Sequence, residues 1–303
     1  MNLNSRMKKR LLIVCAVAAV LTIGGCTVPH DEAGNVILIS QDTTFKEIFS
    51  NENWFSALFV WPLCWVLNKL TPKIGVGGAM AVVTIVVNGL LAIITFKSQI
   101  ANQQMQLIQP QLQKLQRKYE GRTDRASQMK MAQEQQALMQ KYNIKPGSMM
   151  LLSFIQLPIV MAMFMAIQRS ESIANGTFLG MNLKTTPSQG FKLLFSGDTS
   201  GIPYIILFAL MAITQVLLMK VPQWMQKKRA EEEAAKHHRK PEEANNTMAG
   251  MQTYMIVMVL MFGLMWSSGM SLYWFIRNIV DIVKTFVVQK AIDKRNAEQD
   301  KRR

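Results

Sequence analysis

The sequence predicts an all-α, polytopic membrane protein, and three observations carry that prediction. Half of the 303 residues are hydrophobic, yet the formal net charge is +15. A soluble domain would spread so many basic residues over its surface; here they fall in blocks between long apolar runs. Those runs reach about 20 residues, enough for one helix to cross a hydrocarbon core roughly 30 Å thick and too long for barrel strands.

Residues 1–25 have the form of a lipoprotein signal peptide. Lys8, Lys9 and Arg10 make a positive start, and Leu11 to Ile23 an apolar core too short to span comfortably. The segment closes on Ile23-Gly24-Gly25-Cys26, which resembles the lipobox of bacterial lipoproteins. Cleavage there would make Cys26 the lipid-bearing N-terminus on the outer face; the alternative is a plain first membrane helix. With Cys15 inside the signal, only Cys26 and Cys64 remain, and no disulfide framework can be built.

Residues 26–53 are polar, carry Asp31, Glu32, Asp42, Glu47 and Glu52, and read as an exposed external lead-in. Trp54 to Leu70 holds Trp54, Trp61, Trp65, Pro62 and Lys69. Tryptophan favours headgroup depth, so residues 54–75 read as an external interfacial helix and its link. A short transmembrane helix is the alternative, and the charge pattern must decide between them.

Val76 to Lys97 is the first span and the stretch around which the chain is organised. Its interior is apolar except for Thr84 and Asn88, which their i, i+4 spacing puts on one helical face. Residues 97–147 read as a cytoplasmic helical hairpin. Lys114, Arg117, Lys118, Arg122, Arg125, Lys130, Lys141 and Lys145 outweigh Glu120, Asp124 and Glu134. Met105, Ile108, Leu112, Leu115 and then Met131 and Leu138 recur at helical spacings, and Gly121 to Asp124 supplies the turn.

Ser148 to Gln168 is the second span, with Gln156 and Pro158 near its middle. Arg169 to Ser200 is nearly balanced in charge and reads as an external loop. Gly201 to Met219 is the third span, and residues 220–247 form a basic cytoplasmic loop. Met248 to Ser267 and Met270 to Gln289 are spans four and five, completing a core over 76–290, and residues 291–303 are a basic cytoplasmic tail. Every basic block falls on one side of the membrane if Trp54 to Leu70 stays outside and five helices follow.

Span five contains Arg277, three residues after Trp274 and near its face. A charge at that depth is functional or paired, and Asp281 is one turn away. Two readings stay open, a working charge in a groove and a buried pair that only fixes helix packing. The 23 methionines likewise fit either an adaptable surface for varied helices or ordinary packing. No HExxH, G-x-S-x-G or Walker motif is present, and His237-His238 has no metal-ligand spacing around it. The sequence therefore predicts no enzyme, cofactor or metal. The basic loop and tail either touch ribosomal RNA or serve topology alone.

Four stretches, in order along this topology, resemble the YidC/Oxa/Alb family of membrane protein insertases in its short, lipoprotein-type bacterial form. Leu107-Ile108-Gln109-Pro110-Gln111-Leu112-Gln113-Lys114-Leu115 is similar to that family's LQPELQKI at the start of the hairpin. Phe154-Ile155-Gln156-Leu157-Pro158-Ile159 looks like IQMPI, and Phe178-Leu179-Gly180-Met181-Asn182-Leu183 like FLWFDL. Ser268-Gly269-Met270-Ser271-Leu272-Tyr273-Trp274 resembles SGLALYW.

The resemblance implies an insertase whose polar groove, open to cytoplasm and lipid, takes the hydrophilic flank of a nascent membrane protein. On this chain the matching groove residues are Thr84, Asn88, Gln156 and Trp274, with Arg277 beside them. The implied partners are nascent membrane proteins and the lipid bilayer, with the Sec translocon and the ribosome as further candidates. One departure matters. Where the family has Arg-x8-Lys before the hairpin, counting back from Lys97 gives Asn88, so the groove arginine is missing, and Ile93 replaces a family proline. An alternative function follows, a specialised member that serves as dedicated assembly partner of one membrane complex. A small-solute transporter would show internal repeats, and none is evident.

Overall fold

The computed structural model describes residues 28–142, 144, 146–236 and 246–300. The signal segment with Cys15 and Cys26, the His237-His238 pair and the last three residues lie outside the described residues. Helices account for nearly all regular structure, as the sequence predicts. Among the described residues the sheet is one two-stranded ribbon, β1 (Thr177–Phe178) against β2 (Met181–Asn182), antiparallel. The helices are α1 (Phe45–Asn51), α2 (Trp61–Leu107), α3 (Gln109–Lys118), α4 (Arg125–Lys141), α5 (Pro146–Arg169), α6 (Glu171–Ala174), α7 (Pro187–Phe195), α8 (Ile202–Lys236), α9 (Asn246–Met265) and α10 (Ser268–Asp300).

Ser56–Phe96 and Thr199–Met225 are long and apolar enough to cross a membrane, and Ile155–Arg169 and Thr253–Met265 are shorter apolar helices. The stretch read as an interfacial helix is continuous with the first span. A π-helical turn, Ser56–Val60, leads into α2, which bends at Gly75 with φ 72° and ψ 169°. That conformation is essentially restricted to glycine, so this residue sets the change of direction.

Two compact units are formed, each from separated stretches of chain: 1–84, 153–205 and 266–273 in the first, 85–152, 206–265 and 274–303 in the second. In the first, most of the predicted lead-in is exposed, but it is docked at two buried residues. Ile39 and Ile48 are buried, and Ile39 forms a parallel bridge to Ser170, accepting from Glu171 N at 3.2 Å. Asn68, fully buried on α2, donates to Ile39 O at 2.7 Å. Its Oδ1 accepts from Ser170 Oγ at 2.7 Å and Ser172 N at 3.0 Å.

Arg169, counted in the sequence as a loop charge, is fully buried. Its Nη1 donates to Glu52 Oε2 at 2.8 Å, Nη2 contacts Glu52 Oε1, and Nε donates to Ile37 O at 2.9 Å. This bidentate pair, with Asn68, straps residues 37–52 onto α2 and the end of α5. Cys64, fully buried, is free, and its thiol donates to Ala166 O at 3.6 Å. The loop after Arg169 is also more structured than the sequence predicts, comprising α6, the β-ribbon and α7. Thr186 caps α7 in a reciprocal box with Gln189.

The second unit contains the hairpin. Ile108, Leu112 and Ile144 make its small core, with Met105, Leu138 and Met139 against it. Gly121, at φ 79°, turns the chain, and the Asp124 side chain caps α4 by accepting from Ser127 N at 2.8 Å. Lys118 and Tyr119 on one arm both donate to Glu134 on the other, over 2.8–2.9 Å. The next long element is α8. Its 35 residues extend about 50 Å, well beyond the thickness of a hydrocarbon core.

Candidate functional site

Along α2 the usual arrangement of polar and apolar faces is inverted. Thr84, Asn88, Leu91, Thr95 and Ser98 recur every three or four residues, and all are buried, Asn88 leaving 6% exposed. Val82, Val86 and Ile93, on the opposite face, are exposed, Ile93 by 78%. In water that distribution would be unstable, because it wets apolar area and dries polar groups. In hydrocarbon it is the stable one.

The same inversion recurs in the second unit on α8, where Leu207, Met211, Thr214 and Gln215 are buried and Ile206, Leu210, Ile213 and Leu217 exposed. On α10, Asn278 and Gln289 are buried while Ile279, Val283 and Val287 are exposed.

The buried polar groups are largely satisfied within the protein. Thr95 Oγ1 donates to Leu91 O at 2.6 Å and accepts from Gln99 Nε2 at 2.8 Å. Thr214 Oγ1 lies 2.9 Å from both Leu210 O and Met211 O, and accepts from Asn278 Nδ2 at 3.3 Å. Hydroxyls bonded to the preceding turn leave little unpaired polarity in a dry setting. They remain able to exchange partners, which a fully apolar stripe cannot do.

Of the predicted site residues, Thr84 and Asn88 share the buried face of α2, and Trp274 and Arg277 share α10. Thr84 and Gln156 belong to the first unit, Asn88, Trp274 and Arg277 to the second. Gln156 and Trp274 are half-buried. Arg277 has a partner: its Nε is 3.5 Å from Asp281 Oδ2, with the two side chains 18% and 15% exposed. The sequence reading missed that Lys284 also contacts Asp281. Two cations thus flank one carboxylate at positions i, i+4 and i+7, a group with a formal charge of +1.

Also missed were Thr95, Ser98, Thr214, Gln215 and Asn278. Thr95, Thr214 and Gln215 are polar residues inside apolar runs, the same signal that marks Thr84 and Asn88, whereas Ser98 and Asn278 adjoin the charges Lys97 and Arg277. Among the described residues no cluster of His, Cys, Asp and Glu is arranged to hold a metal.

An all-helical chain with apolar faces outward and polar stripes buried is a membrane protein, and its sequence motifs narrow the class further. The family model for the 60Kd inner membrane protein matches residues 66–296, and the chain belongs to that family, the YidC/Oxa/Alb family of the motifs above. It is 28% identical over 303 residues to "Membrane protein insertase YidC 2" of Listeria innocua, covering 99% of this chain and 90% of that protein. The protein of the same name in Bacillus anthracis is 29% identical over 93% of this chain and 94% of its own length. "Membrane protein insertase MisCA" of Bacillus subtilis is 26% identical over 88% and 92% respectively.

Proposed function

We propose that the chain is a membrane protein insertase that moves nascent segments into the bilayer along its buried polar stripes. The observation that carries this reading is the inside-out α2, with Asn88, Thr95 and Ser98 on a buried face and bare aliphatic side chains opposite. Family membership supports the activity.

Moving a hydrophilic flank through hydrocarbon costs roughly 2–7 kcal/mol for each polar group left without a partner. Thr84 and Gln156 in the first unit, and Asn88 and Trp274 in the second, would each supply substitute partners and lower that barrier. No bond is made or broken in the client, so this work needs no enzyme chemistry and no cofactor. The topology in this reading has five spans, the hairpin, basic loop and tail in the cytoplasm, and a lipid on Cys26 outside. Contacts with a Sec translocon and a ribosome fit the basic cytoplasmic surface.

Asn88 at the position of the family's groove arginine supports a second reading, a dedicated assembly partner of one complex. In the insertase reading Arg277 would take over that charge, with Lys284 offsetting Asp281. Complementation separates the two readings. A host depleted of its general insertase is expected to grow on the wild-type chain. Growth only with Asn88→Arg would mean an insertase retuned to narrower clients. Failure of both, with each protein present in the membrane, would favour the dedicated partner.

A further inference from the structure

Two apolar tips in the first unit are left unexplained by the insertion reading. Leu179, at the turn of the β-ribbon, has φ 50°, a left-handed conformation that strains a bulky residue and suits glycine, as at neighbouring Gly180. Its side chain is nonetheless 79% exposed. At the end of α7, Leu194 and Phe195 are exposed, Phe195 by 87%. Next to them opens a cavity of about 530 Å³ lined by Thr185, Gln189, Lys192, Leu193 and Ser196. Lys192 is the only charge on its wall, and has no ion-pair partner among the described residues.

Both tips are tied to helices long and apolar enough to cross a membrane. Phe178 lies against Gly77, where an added Cβ would come within 2.4 Å of its ring, two residues beyond the bend that starts the span. Gly190 of α7 and Gly201, next to α8, pack so tightly that a Cβ on Gly201 would meet Gly190 O at 2.2 Å. Tyr204 of α8 joins the two elements, its hydroxyl accepting from Asn182 N of the ribbon at 3.0 Å. Large apolar side chains fixed in this way, with a cation beside a cavity whose lining is mostly apolar, suit a lipid surface better than water.

We propose that Leu179, Leu194 and Phe195 insert into the headgroup layer of the leaflet above the first unit, and that the cavity at Lys192 seats the phosphate of an anionic phospholipid. The inference rests on the membrane reading of the chain. It would anchor the ribbon and α7 to the bilayer, steadying the helix ends they pack against.

The test uses the full chain in vesicles of phosphatidylglycerol and phosphatidylcholine. Bimane is attached at Leu179→Cys or Phe195→Cys, and labelling of the parent chain is subtracted. Doxyl lipid spin-labelled near the headgroup and aqueous iodide serve as quenchers. Ile93→Cys, on the exposed apolar face of α2, reports acyl contact, and Ala33→Cys, on an exposed turn, reports water.

Labels at 179 and 195 are expected to be quenched by the lipid several-fold more than the Ala33 label, and shielded from iodide. Lys192→Glu is expected to lower quenching at 195 when phosphatidylglycerol is present and to leave it unchanged in phosphatidylcholine alone. Iodide access equal to that of Ala33, with Ile93 quenched by lipid, would overturn the proposal while the membrane reading stands. Shielding from iodide without lipid quenching would assign the tips to a protein contact and overturn it too. An Ile93 label untouched by lipid would overturn the membrane reading itself.

Discussion

Asp281 holds two cations apart, and the consequences of losing each member differ. Without the carboxylate, Arg277 and Lys284 face each other with little water to screen them. Asp281→Ala is therefore expected to lower the amount of folded protein in the membrane, read by protease resistance. Arg277→Ala leaves Lys284 and Asp281 as a neutral pair, so the protein is expected to accumulate normally while insertion of clients with acidic flanks drops. Equal loss of folded protein from both variants would make the group purely structural.

Arg169 is a second residue whose context the sequence hid. It lies in a charge-balanced stretch and reads as a solvent-facing cation; only the fold brings Glu52, 117 positions earlier, into reach. Removing one partner of a buried pair costs about 3–5 kcal/mol, because the other charge is left uncompensated. Glu52→Ala is expected to lower stability by that order, measured as the midpoint of unfolding in detergent. Long-range pairing of this kind has no periodicity to announce it. The polar stripe does: Thr84 and Asn88 were legible, and Thr95 and Thr214 follow the same rule.

At the scale of elements, the bend at Gly75 and the helical hairpin make separate predictions. Nothing lies within 4 Å of where a Cβ on Gly75 would sit, so Gly75→Ala strains only the backbone. It is expected to cost about 1–3 kcal/mol, or to straighten α2, which spectroscopic distances across the bend would reveal. In the hairpin, hydrogen bonds from Lys118 and then Tyr119 hold the Glu134 carboxyl below its ordinary value of 4.5, and the bond to Glu134 raises Lys118 above 10.5.

The signs are opposite and complementary. Glu134 contributes stability that is complete above 4.5 and lost as pH falls through its lower folded value; Lys118 contributes stability that is complete below 10.5 and lost as pH rises through its higher one. The arms are expected to stay clamped across neutral pH and to loosen in acid, seen as faster amide exchange in α4. Glu134→Gln is expected to exchange faster at neutral pH already. Helices, turn and hairpin core were readable from spacing, because local periodicity fixes them. The docked strap was less so, although Val36-Ile37-Leu38-Ile39 is an apolar run in a polar segment and marked the one stretch with something to bury.

For the whole molecule, one physical statement links the fold to the proposed activity: along α2, α8 and α10, polar side chains lie on buried faces and bare aliphatic ones face out. Such faces are stable only where their surroundings are hydrocarbon, and in the proposed function the buried hydroxyls and amides would be the partners of a translocating flank. Under the proposed function, Asn88 in place of the family's arginine would remove the charge that attracts acidic flanks and would leave a polar path in place.

The direct measurement is reconstituted insertion. Purified chain in vesicles is given a nascent client, and the protease-protected fraction is compared with that in protein-free vesicles. The wild-type chain is expected to raise that fraction several-fold, and Asn88→Leu combined with Thr95→Val to remove most of the gain at equal folded protein. Protection no greater than in empty vesicles, with the chain folded and membrane-integrated, would contradict the account.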